Sequence, residues 1–193
     1  MEVSGMDCVY SQRFDFALGF AAQQHDGQYR KGTRTPYLVH PVAVGFLLRS
    51  YGYSEDIQIA GLLHDVVEDT PCTIEGLEDL FGSAVARIVG WCTEPEKNRS
   101  WEDRKDTMVS NLAKAPMEAR AVATADKAHN LRTTLDVWDS EGELIWDRFS
   151  RGQDAQLNYY RRVLKALESG FSDPILCELR SAVEMFEARV KDV

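Results

Sequence analysis

The stretch Gly61–Thr70 reads G-L-L-H-D-V-V-E-D-T and sets one imidazole and three carboxylates, His64, Asp65, Glu68 and Asp69, in an otherwise apolar segment. On a helix, residues three and four apart share a face, which would set His64 near Glu68, and Asp65 near both Glu68 and Asp69. Leu62, Leu63, Val66 and Val67 would then face other helices. Carboxylates crowded onto one turn repel one another and are costly to bury, and a divalent cation is the ordinary remedy. Pro71 disfavours helix at Thr70, so the cluster falls on the last turn before a stop. A His-Asp pair on a helix is also an ordinary surface feature. Its company elsewhere in the chain must decide.

Two positions supply that company. His40 stands before Pro41, 24 residues ahead of His64, and Asp126 follows the apolar run Ala121–Ala125, 61 residues beyond Asp65. Two imidazoles and two carboxylates suit a first-row transition ion. The oxygen-rich balance favours Mn²⁺, with Fe²⁺ or Zn²⁺ as alternatives. Plainer readings stand beside these. His40 could cap a helix, and Asp126 could pair with Lys127 or Arg132.

Composition narrows the function classes. A chain of 193 residues with 44% hydrophobic content suits one domain with a true core. No run of 18 apolar residues is present, which excludes a membrane-spanning helix. The opening M-E-V-S-G-M-D-C lacks the features of a signal peptide. Cys8, Cys72, Cys92 and Cys177 show no C-x-x-C spacing, so reduced thiols and a cytoplasmic setting are expected. A net charge of −9 argues against a nucleic-acid polymer as partner. Residues 1–50 nevertheless hold five Lys/Arg against four Asp/Glu, with Arg30, Lys31 and Arg34 inside five positions. Such a basic cluster is either a solvated loop or a seat for a compact anionic ligand.

The elements that must position these groups are helical. Phe14, Ala17, Leu18, Ala21 and Ala22 predict a helix over about 11–26. The segment G-Q-Y-R-K-G-T-R-T-P-Y, with Gly27, Gly32 and Pro36, reads as a loop. His40-Pro41 opens a second helix, with Val42, Val44, Phe46, Leu47 and Leu48 on its apolar side. Ser54 is the expected N-cap of a helix over Ile57–Val67. Shorter helices follow from Thr73 to about Phe81-Gly82 and over about 83–93. The polar run E-P-E-K-N-R-S-W reads as a loop. Further helices are expected over about 101–114, 117–133, 142–168 and 173–190, with Tyr159, Tyr160, Val163, Leu164 and Leu167 marking the core side of the penultimate one. With no long alternating run of β-formers, the fold class is all-α.

The segments H-D-G-Q-Y-R-K-G-T-R-T-P-Y-L-V-H-P (25–41), L-L-H-D-V-V-E-D-T (62–70) and A-D-K-A-H-N-L-R-T (125–133) carry a resemblance. The H…HD…D pattern resembles the HD-domain phosphohydrolase superfamily. The longer segments are similar to the hydrolase domain of the RelA/SpoT alarmone enzymes, over roughly residues 12–168. In size the chain resembles the stand-alone small alarmone hydrolases, the group that includes the metazoan SpoT homologue. The resemblance implies a single HD domain over 1–193, a bundle of roughly eight to ten helices with the C-terminal helix (about 173–190) packed on it.

It further implies that His40, His64, Asp65 and Asp126 hold one Mn²⁺, and that Glu68 and Asp69 are the catalytic carboxylates. Arg30 and Lys31 correspond to residues contacting guanine and phosphates, and Asn130 and Thr133 to positions near the ribose and phosphate. Tyr159 or Tyr160 either walls the base site or packs in the core. His25 reads as structural, His129 has no assigned role, and Trp138–Ser150 matches none of the segments. The activity implied is removal of the 3′-pyrophosphate from (p)ppGpp, giving GDP or GTP and pyrophosphate, with no synthetase domain. Two rivals stand beside it. One is the same chemistry on NADPH or a nucleoside phosphate, and the other is a non-catalytic nucleotide-binding module.

Overall fold

The computed structural model describes residues 10–94 and 98–191. Cys8 and part of the predicted 94–101 loop lie outside them. Among the described residues there are ten α-helices and no strand; one isolated bridge joins Tyr29 to Pro36. The helices are α1 Gln12–Gln24, α2 Val39–Ser50, α3 Glu55–Leu63, α4 Val66–Asp69, α5 Ile74–Phe81, α6 Ser83–Cys92, α7 Trp101–Leu112, α8 Met117–Glu141, α9 Gln153–Glu168 and α10 Leu176–Lys191. A 3₁₀ segment, Gly142–Arg148, lies between α8 and α9. The all-α expectation holds.

Helix α8 is the axis of the bundle. Every residue from Ala119 to Asp126 is buried, so this stretch touches neighbours on all sides rather than along one stripe. Its small side chains (Ala119, Ala121, Ala123 and Ala125) let α2, α3 and α6 approach closely. Helix α10 packs against α8 and α9, where Phe186 meets the rings of Trp138 and Trp146.

The crossing of α2 and α3 is set by two glycines. A Cβ on Gly61 would fall 2.5 Å from Leu48 Cδ1, with the Gly45 Cα only 3.5 Å away. Bare backbone at both positions lets the helices pack at a distance that larger residues would forbid. His40, on α2, and His64, the residue that caps the end of α3, are drawn together by that contact.

Four expectations need correction. Helix α3 ends at Leu63 instead of running through Val67. His64 (φ −60°, ψ −30°) and Asp65 (φ −96°, ψ −8°) keep a right-handed course, but the ring Nδ1 of His64 bonds the Gly61 carbonyl at 2.8 Å and competes for a helical acceptor. Helix α8 continues past 133 to Glu141, because no breaker intervenes before Gly142, whose φ of 67° ends it. The expected helix over 142–168 is accordingly split, with the 3₁₀ segment first, Phe149 extended, and α9 starting only after Gly152. On α2, Val44 and Leu48 are buried as expected, whereas Val42 is 39% and Phe46 69% exposed. Helical spacing places these two on the outer side.

Candidate active site

Helix α2, the turn between α3 and α4, and helix α8 bring four predicted residues to one point. His40 Nε2 lies 3.2 Å from His64 Nε2, 3.2 Å from Asp126 Oδ1 and 3.5 Å from Asp65 Oδ2. His64 Nε2 lies 3.1 Å from Asp65 Oδ2 and 3.6 Å from Asp126 Oδ1. Donors held about 2.1 Å from one ion are about 3.0–3.4 Å apart at octahedral or tetrahedral angles. Three of the five separations fall in that range and the other two, 3.5 and 3.6 Å, lie just above it, and His40, His64 and Asp65 meet the geometric requirement for a shared ion. The chemistry fits as well. Nδ1 of His64 donates to the Gly61 carbonyl, so Nε2 is the ring nitrogen turned to the cluster and the one that would bind an ion on losing its proton. These residues can hold a divalent metal.

A second layer of contacts orients the four. His129 Nδ1 is 2.8 Å from His40 Nδ1, the Tyr37 hydroxyl donates to Asp65 Oδ2 at 2.6 Å, and Asn130 donates to Asp126 Oδ1. Lys127 Nζ lies 2.7 Å from Asp126 Oδ2. The pairing with Lys127 therefore exists alongside the cluster and does not replace it. Arg132 points elsewhere, to Glu178.

Electrostatics follow from this crowding. Burial alone would lower the His64 pKa, but the charge of Asp65 and the bond to Asp126 outweigh it and hold the imidazole well above its usual range. Burial would raise Asp126, yet Lys127 and the two imidazoles keep it well below the carboxylate range. Burial, the neighbouring His40 and Arg30 push His129 down to about 4, so its ring is neutral at pH 7. Burial also raises the Tyr37 phenol far above its ordinary value, with Asp65 adding to the effect, so the hydroxyl keeps its proton and remains a donor.

Glu68 and Asp69 form the end of α4, one turn past His64-Asp65. Burial pushes Glu68 above its usual pKa, and the charges of Glu94 and Asp65 push it further. The Glu94 N–H donates to Glu68 Oε2 at 3.3 Å, while the Glu94 carboxylate is held by Arg104 and Lys105. The Asp69 carbonyl accepts from Gln28 Nε2 at 3.0 Å, tying α4 to the R-K-G loop.

A cavity of about 630 Å³ opens beside the cluster, and Tyr37, Lys127 and His129 in its wall each touch one of the four residues. Six cations line it, Arg30, Lys31, Arg104, Lys105, Lys127 and Arg148, against the single carboxylate of Asp136. That is a strongly cationic pocket in a chain of net charge −9. Three of the predicted substrate residues join there, since Arg30 Nη2 donates to Asn130 Oδ1 at 2.7 Å and to Thr133 Oγ1 at 3.2 Å. Lys31 stands at the rim with its ammonium 5.4 Å from the Phe149 ring centre. Tyr159 and Tyr160 both line the cavity, and Tyr159 is also core, so the two alternatives are not exclusive. His25 stacks on Tyr37 at 4.9 Å and bonds Gln28, a structural role.

Sequence reasoning missed His129, Tyr37, Glu94 and Arg148. His129 and Tyr37 sit inside matched segments, and their chemistry was visible there without a partner to act on. Glu94 lies in a polar run that reads as solvated loop, and Arg148 in a stretch read as the start of a helix and matching none of the segments.

This helical bundle with a two-His, two-Asp centre belongs to the HD-domain family, whose model matches residues 17–151. Among curated relatives, the guanosine-3′,5′-bis(diphosphate) 3′-pyrophosphohydrolase MESH1 of Danio rerio is 38% identical over 130 residues, 66% of this chain and 72% of that protein. The bifunctional (p)ppGpp synthase/hydrolase SpoT of Escherichia coli K12 is 36% identical over 119 residues, 58% of this chain but only 17% of SpoT. A solved structure of a metazoan SpoT orthologue, described as hydrolysing ppGpp, superposes with a TM-score of 0.78 at 28% identity, covering 93% of this chain and 98% of that one. The lmo0812 protein of Listeria monocytogenes gives 0.71 at 35% identity, over 77% and 99%. Among the described residues no helix is long and apolar enough to cross a membrane.

Proposed function

We propose that this chain is a metal-dependent hydrolase that removes the 3′-pyrophosphate of (p)ppGpp, releasing GDP or GTP and pyrophosphate. The observation that carries this reading is the meeting of His40, His64, Asp65 and Asp126 at separations of 3.1–3.6 Å beside a six-cation cavity. Relatives named as (p)ppGpp 3′-pyrophosphohydrolases support the choice of substrate.

His40, His64, Asp65 and Asp126 hold the ion, and the two-nitrogen, oxygen-rich set favours Mn²⁺ over Fe²⁺ or Zn²⁺. Bound there, the ion supplies Lewis acidity toward the phosphoryl oxygens and lowers the pKa of the attacking water. Glu68 takes a proton from that water; its raised pKa brings its basicity nearer neutral pH. Asp69, beside it on α4, orients the water. The water oxygen bonds to the phosphorus attached to O3′, the phosphorus–O3′ bond breaks, and the proton taken by Glu68 is returned to O3′, which leaves as the ribose hydroxyl. Lys105 and Lys127 offset the charge of the departing pyrophosphate. Arg30, seated on Asn130 and Thr133, meets the nucleoside by its planar guanidinium.

The test is incubation of the metal-analysed protein with ppGpp and Mn²⁺, following pyrophosphate and GDP. Equimolar release of both is expected. A protein that binds Mn²⁺ stoichiometrically yet releases no pyrophosphate would overturn the reading.

A further inference from the structure

Two groups of cations line the cavity, an inner end joined by contacts to Asp126 and an outer end formed by Lys31 and Arg148. The inner end is traced through contacts, from Asp126 to Asn130 to Arg30, and from Asp126 to Lys127. At the outer end the R-K-G loop meets the segment after α8, residue for residue. Lys31 lies over the ring of Phe149, and Arg148 lies on Gly32. A Cβ at Gly32 would fall 2.4 Å from Arg148 Nε and 2.6 Å from its Cζ. The guanidinium therefore occupies space that any other residue at position 32 would fill. Glu141, at the end of α8, holds Arg148 from the other side.

Fixing a half-buried arginine between a glycine and a carboxylate, beside a lysine that lines the same cavity, builds a preorganised anion seat. Nothing in the inner chemistry requires it, because the scissile diphosphate is served by Lys105 and Lys127. A substrate with a second anionic group, projecting from the other end of its sugar, would require it.

We infer that Arg148 and Lys31 receive the 5′-phosphates of the nucleotide, making Arg148 a specificity residue supplied by a segment that matches no recognised motif. The inference rests on the hydrolase reading for the identity of the substrate, but the seat itself can be tested without turnover. GDP carries the 5′-diphosphate and has no 3′-phosphate to hydrolyse, and guanosine has neither.

Titration calorimetry should give wild-type binding of GDP at least tenfold tighter than of guanosine. Arg148→Gln should weaken GDP roughly tenfold, the order expected for one charge-assisted contact, and leave guanosine unchanged. Arg148→Lys should recover part of the loss. In turnover, Arg148→Gln should raise KM for ppGpp about as much, hold kcat within about twofold, and spare guanosine 3′-diphosphate with a free 5′-hydroxyl. Equal weakening of GDP and guanosine, or no preference of the wild type for GDP, would overturn the inference. Failure of the hydrolase reading would look different, with the GDP preference intact and no member of the 3′-diphosphate series hydrolysed.

Discussion

Nδ1 of His40 faces Nδ1 of His129 across 2.8 Å, and only one of the two can carry the proton between them. If Nε2 of His40 presents its lone pair to the cluster, the proton must sit on His40 Nδ1, with His129 accepting. The low pKa of His129, about 4, suits an acceptor that stays neutral. A partner of this kind fixes both the tautomer and the tilt of a ligand ring. His129→Phe should therefore weaken Mn²⁺ binding by roughly 10–100-fold, the usual cost of losing such a support. Metal titration monitored by activity and by bound Mn²⁺ checks this, with circular dichroism to verify the fold. Unchanged affinity would mean that packing alone holds His40.

The pH profile should report Glu68. A protonated carboxyl cannot accept a proton from water, so activity falls as pH drops through the Glu68 pKa. Burial first, then Glu94 and Asp65, raise that pKa, which moves the acid limb of kcat/KM to higher pH than an ordinary glutamate would give. Glu94→Gln removes one raising charge and frees Arg104 and Lys105, whose charges also favour the ionised form. Both changes lower the Glu68 pKa. The acid limb should shift to lower pH in this variant, measured at saturating Mn²⁺. A shift to higher pH would assign the limb to another group.

Metal removal should cost stability as well as activity. The four ligand side chains are drawn from α2, from the turn after α3 and from α8, so an ion that binds the folded chain alone ties distant segments together. At a hundredfold excess over Kd, such linkage contributes about 2.7 kcal/mol. For a chain of this size that is roughly 5–10 °C in Tm. Thermal melts with Mn²⁺ and after chelation should differ by about this amount. Asp126→Asn should shrink the difference sharply.

The residues proposed as metal ligands could be picked out in the sequence because their types are rare inside apolar helices. His64-Asp65 and Asp126 gained weight only in company with His40 and the matched segments around them. The second layer was not legible in that way. His129 gains its meaning only where α2 crosses α8, and Glu94 only where a polar run folds back onto α4. The helices themselves were legible where a cap or breaker marked them, as at Thr73, whose side chain accepts from the Gly76 N–H, and at Ser54, which caps α3 by position without a side-chain bond. They were misread where the determinant was a side-chain bond, as at His64, or where a helix simply continued for want of a breaker, as from 133 to Glu141. Val42 and Phe46 were assigned to the core because apolar residues usually are, yet α2 has neighbours on one side only in that register.

The Gly45–Gly61 crossing offers a test of how the fold holds the site at a distance from it. Gly61→Ala would set a methyl 2.5 Å from Leu48 Cδ1 and 3.3 Å from Val44 Cγ1, both of them fully buried. With both side chains fully buried, the methyl is accommodated by α2 moving outward or by Leu48 turning within the core, and the two outcomes are separable. Overpacking of this type typically costs about 1–3 kcal/mol. His40 rides on α2 and His64 follows directly from Gly61, so their 3.2 Å separation widens with an outward movement of α2. Stability and Mn²⁺ affinity should therefore fall together in Gly61→Ala, by chemical denaturation and metal titration on one preparation. Gly19→Ala, on α1 with no atom within 4 Å of the new methyl, should leave both unchanged. A Gly61→Ala protein that is destabilised but binds Mn²⁺ as the wild type does would show that Leu48 turns within the core instead, and that the crossing does not set the geometry of the centre.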